Sequence, residues 1–160
     1  MEGWHDFYLG QVGASAALGG LIFVGVSINL AKIMSAANLP NRAQEALGLL
    51  FYILILGSIA LVPGLGRAGF GAAALAIGLL AWLGVTTLHR RSLGAVDGPF
   101  RRPTIAAAVL GQIVTLAIAA AGVLILMAIP AGMYLLVGAI VAAYFLVFIH
   151  AWVLLVEVNR

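Results

Sequence analysis

A histidine and a carboxylate on one face of a membrane-spanning helix can relay a proton or contact a cation. His150 and Glu157 have that spacing: at i and i+7 they lie two turns apart with Leu154 between them. His150 is the only titratable group expected well inside an apolar stretch. Gln112 and Thr115, one turn apart near the middle of another stretch, form a second polar pair. An amide at that depth must find a partner, either on a neighbouring helix or along a polar path. Gln112, Thr115, His150 and Glu157 are therefore the candidate transport-path residues, set against the plainer reading of interhelical hydrogen bonds.

Other chemistries find little support. The chain has no cysteine, which excludes thiolate metal and redox sites. It has no Ser/His/Asp arrangement, no His-x-x-x-His pair and no phosphate-cradling glycine loop, so neither an enzyme nor a metal site is expected. A b-type haem would need two imidazoles at matched depth on facing helices. His89 abuts Arg90 and Arg91 and is expected at the water boundary, shallower than His150, and His5 is expected to be exposed. No cofactor is expected.

The elements that must position these residues are apolar. Hydrophobic residues make up 64% of the 160 and charged residues 8%, against about 25% in soluble domains. Five uncharged stretches run over roughly 8–31, 46–62, 69–88, 104–129 and 131–156, with the charges between them. Each is about 17–26 residues long, enough for a helix to cross a hydrocarbon layer of about 30 Å. The expected fold is all-α: a polytopic transmembrane helical bundle of five membrane-spanning helices forming one integral membrane domain over residues 1–160. Glu2 and Asp6 replace a basic n-region and the first stretch is too long for an h-region, so it reads as a retained helix. His89–Pro103, the longest non-apolar segment, reads as a loop.

Turns around Pro63-Gly64 and Pro130 reverse the chain within a few residues, which gives one helix plus two tight hairpins. With five crossings, Lys32, Arg42, Arg90, Arg91, Arg101, Arg102 and Arg160 share one side, and Arg67 stands on the other. The positive-inside rule then places the N-terminus outside and the C-terminus in the cytoplasm, a bacterial inner membrane being the expected setting. Arg90, Arg91, Arg101 and Arg102 flank a turn and suit anionic lipid headgroups or a partner protein. The basic balance reads as topology and not as nucleic-acid affinity.

Small residues recur at helical spacing. Gly71, Ala74, Gly78 and Trp82 form one strip, and Ala108, Gly111, Gln112, Thr115, Ala119 and Gly122 another. Such strips let helix backbones approach, within one bundle or between copies. Trp4, Phe7, Tyr8, Phe70, Tyr134 and Trp152 are expected in the interfacial aromatic belts. Two functions fit these features. One is a small oligomeric channel or transporter for ions or small solutes. The other is a non-catalytic accessory or scaffold subunit of a larger membrane complex.

Overall fold

The computed structural model describes residues 3–36, 38–95, 98 and 101–156. Among the described residues six helices follow in order: α1 (His5–Ile28), α2 (Leu30–Ser35), α3 (Leu39–Ala60), α4 (Arg67–Ala95), α5 (Arg101–Leu126) and α6 (Ala131–Leu155). All but the short α2 are long and apolar enough to cross a membrane. Phe51, Leu80, Leu83, Ile113, Phe145 and Phe148 stand exposed on the outside of the bundle. Side chains of that size on every flank need hydrocarbon around them, as in a membrane-embedded protein.

Helices α3, α4, α5 and α6 form a ring in which each packs on the next and α6 closes back on α3. The most extensive contact is between α4 and α5. Helix α1 lies outside the ring against α3, with Tyr8, Ser15 and Ile22 as its buried seam.

The strips of small residues explain the α4–α5 contact. A Cβ on Gly78 would strike the backbone of Ala119, one on Gly122 the backbone of Leu75, and one on Gly71 the backbone of Leu126. These strips thus pack within the chain, which supplies association where lipid removes the hydrophobic drive between helices. Gly13 and Gly20 on α1 and Gly138 on α6 face open space.

Helix boundaries depart from the apolar stretches in an informative way. Helix α3 starts at Leu39, with Pro40 in its first turn, where a missing N–H costs nothing. Helix α4 continues to Ala95 and α5 begins at Arg101, so most of His89–Pro103 is helical and not loop. Apolar runs end at the first charge, whereas a helix continues until its backbone is capped. The first stretch is also divided, because Asn29 ends α1 and its side-chain amide donates to the Gly25 carbonyl.

The α5–α6 turn closes as a Schellman motif. Ile129 N–H donates to the Leu124 carbonyl at 2.9 Å and Ala128 N–H to the Ile125 carbonyl at 3.1 Å. The motif needs a left-handed residue, and Ala128 fills that place with φ +62°. A left-handed alanine is strained, so Ala128→Gly is expected to stabilise the bundle by about 0.5–1 kcal/mol. A raised unfolding midpoint in detergent would show it.

The two ends of the bundle differ. At the end where α1, α4 and α6 begin, Trp4 packs on Phe7 and Tyr134, and Tyr8 packs edge-on against Phe70. Tyr8 and Phe70 are buried core residues and not members of an interfacial belt, whereas Tyr134 is exposed. Ile118, Ile125 and Leu136 continue this packed apolar half. Most of the buried polar and charged residues, Glu45, His89, Ser92, Thr104 and His150, gather at the other end.

Candidate functional site

Glu45 lies on α3 with its carboxylate 4% exposed. It stands six residues into its helix, about 9 Å from the end. Leu49 and Leu56, on the same face, belong to the buried core. An unpaired carboxylate there would cost several kcal/mol, and two imidazoles meet it.

His89 on α4 brings Nε2 to 2.9 Å from Glu45 Oε1. His150 on α6 brings Nε2 to 3.3 Å from Glu45 Oε2. Both histidines are buried, each about 8–9 Å from the end of its helix, at the depth of Glu45. Each continues a buried seam: Ala74, Ala81 and Val85 lead to His89, and Ala139, Ala143 and Leu146 to His150. One helical periodicity thus packs the core and delivers the ionisable groups.

Helix α5 supplies the fourth side. Gln112 lies deeper, about 16 Å from the start of its helix, and its amide nitrogen is 3.2 Å from His89 Nδ1. That amide also exchanges hydrogen bonds with Thr86, at 3.1 and 3.2 Å. In this orientation Gln112 donates to Nδ1, so the ring proton of His89 sits on Nε2 and donates to Glu45. His89 is held at both nitrogens.

Gly111, one turn before Thr115, makes room for this arrangement. A Cβ there would lie 2.7 Å from Glu45 Oε1 and 2.9 Å from His89 Cε1. Gly111→Ala is expected to break the Glu45–His89 hydrogen bond and cost about 1–3 kcal/mol, measured as a lowered melting temperature in detergent.

Towards the helix ends lies a layer of neutral, partly buried hydrogen bonds. The Asn41 amide donates to Ser92 Oγ at 3.1 Å and that of Asn38 to Thr104 Oγ1 at 3.5 Å. Between this layer and Glu45 is a cavity of about 10 Å³, lined by Asn38, Arg42, Glu45, His89, Thr104 and His150 among others.

Several sequence expectations change. His150 is not the only titratable group deep in the bundle, because Glu45 and His89 are buried beside it. His89 is not at the water boundary: the exposed Arg90 and Arg91 follow it on the outer face of α4 while His89 turns inward. The two imidazoles do share a depth, as a haem would require, but both are turned onto one carboxylate between them. Glu157, the sequence partner of His150, lies outside the described residues, and the carboxylate that His150 meets is Glu45. Gln112 joins the cluster through His89. Thr115 is fully buried and donates to the Gly111 carbonyl of its own helix at 2.8 Å, away from the cluster. Arg101 and Arg102, like Arg90 and Arg91, are exposed at the helix ends. Among the described residues no set of three His, Asp or Glu side chains is arranged to hold a metal ion.

Glu45 escaped the sequence reading because it directly precedes an apolar run and looks like its flanking charge. Its phase was the available signal, since it shares a helix face with Leu49, Tyr52 and Leu56. Comparison with known protein families, curated proteins and solved structures finds no match for this chain.

Proposed function

We propose that the protein is a small integral membrane transporter that moves protons across the bilayer, with Glu45, held between His89 and His150, as the acceptor. The observation that carries this reading is the buried carboxylate between two imidazoles contributed by separate helices. Ionisable groups inside membrane spans are expensive, and proton relays are a principal use of Asp, Glu and His there. The apolar packing around Tyr8, Phe70 and Ile125 at the opposite end favours a carrier that changes its packing over an open pore.

In this reading the five long helices all cross the membrane, with the N-terminus outside and the C-terminus in the cytoplasm. The basic residues then place the Glu45 cluster in the cytoplasmic half of a bacterial inner membrane. Arg90, Arg91, Arg101 and Arg102 anchor this side against anionic headgroups. The test is reconstitution of the full chain in liposomes holding a pH-sensitive dye, with a potassium diffusion potential imposed by valinomycin. Proton uptake above that of protein-free liposomes is expected.

A second reading has its own support. Glu45, His89, Gln112 and His150 come from the four ring helices, so the cluster also fixes their rotation, as a scaffold subunit requires. A wild-type preparation without flux would favour that role.

A further inference from the structure

The two histidines are not equivalent. His89 has both ring nitrogens engaged, by Glu45 and by Gln112. His150 is 1% exposed, yet neither of its ring nitrogens makes a hydrogen bond, although Nε2 stands within ion-pair distance of Glu45. Buried polar groups without partners are rare in folded proteins. His150 also lines the cavity of about 10 Å³, and so does Asn38, whose buried Oδ1 is likewise unpartnered.

The size and chemistry of this space select its occupant. A single water needs about 10–15 Å³ of this kind of volume and two to four polar partners. Asn38 Oδ1 only accepts, while a neutral imidazole carries one donor and one acceptor. The occupant must therefore donate to Oδ1 and meet the imidazole as donor or acceptor, according to its tautomer. An anion could not donate to Oδ1 and would face the Glu45 carboxylate. A metal cation would face Arg42, which lines the same cavity, and no set of three His, Asp or Glu side chains among the described residues is arranged to hold one. Water can donate to Oδ1 and meet an imidazole nitrogen in either tautomer.

We propose that this cavity binds one water molecule, and that through it His150, not His89, exchanges protons between Glu45 and the basic end of the bundle. The charged and titratable groups facing His150 here are Glu45 and Arg42 from α3 and His89 from α4; α5 contributes the neutral Thr104, Ala107 and Ala108. His89, fixed by Gln112, is the positioning residue that holds the carboxylate towards His150. The direction of exchange rests on the reading of Glu45 as a proton acceptor, whereas the water site does not.

Solid-state NMR of the full chain in bilayers, with 15N-labelled histidine, tests both. His5→Gln removes the third imidazole without touching the core, and through-space contact with the Gln112 amide identifies His89. The expected result is a water cross-peak and exchange between tautomers at His150, with one static Nε2–H tautomer at His89. A static His150 without water contact, or tautomer exchange at His89 instead, overturns the proposal. Liposome flux separates it from the functional reading. Flux with a static His150 removes this inference alone, and a hydrated, exchanging His150 without flux upholds the water site and removes the transport reading.

Discussion

Replacing Glu45 by glutamine is expected to lower proton flux by roughly a hundredfold while the bundle stays folded. Glutamine has nearly the shape of glutamate and can still accept from His89 at Oε1, so the 2.9 Å contact survives. It cannot take up a proton at neutral pH, which removes the acceptor and leaves the architecture. Glu45→Leu should behave differently. It strands His89 Nε2 in an apolar environment and removes the carboxylate that faces His150, a cost of about 1–3 kcal/mol for each group left unsatisfied. Helical content and monodisperse elution in detergent report folding for both variants, and dye acidification in liposomes reports flux. Full flux from Glu45→Gln would reassign the carboxylate to a purely structural role. Loss of folding in Glu45→Gln would show that its charge, and not only its shape, holds the ring together.

The second large effect concerns packing. Gly122→Ala is expected to destabilise the bundle by about 3 kcal/mol, near the top of the usual range for overpacking. The added methyl would strike the backbone nitrogen and Cα of Leu75, which no change of rotamer can move. Helices α4 and α5 would have to separate at their closest approach, and the displacement would reach the Glu45 site because His89 and Gln112 sit on these two helices. Gly138→Ala is the matched control. It makes the same chemical change where the added methyl meets nothing, and the helix propensity of alanine should leave it neutral or slightly more stable. Unfolding midpoints of the two variants measured side by side decide the matter. Equal midpoints would mean that the α4–α5 contact is looser than the structure shows.

Much of this architecture is legible in the chain. Long uncharged stretches demand helices, because in lipid every backbone N–H and C=O must be satisfied within the segment. Pro63-Gly64 and the segment around Pro130 place the reversals, and the structure puts its turns there. The strip on Gly71 and Gly78 and that on Ala119 and Gly122 mark close approach in the sequence, and they meet each other in the bundle. His150 and Gln112 draw notice because polar side chains in such stretches are rare. The partner of His150 is the residue that the sequence obscures, since Glu45 stands among Asn41, Arg42 and Gln44 like any flanking charge.

The sequence by itself determined the helices, their turns and the small-residue faces, all of which follow from interactions within a few residues or between backbone and solvent. Only the tertiary structure decided that Glu45, His89, Gln112 and His150 meet. Their meeting depends on how far each helix is rotated about its axis. In a water-soluble bundle the contrast between polar and apolar faces sets that rotation. Here lipid-facing and core-facing residues are alike apolar, so packing of glycine against backbone sets it instead, together with the single carboxylate that two imidazoles enclose.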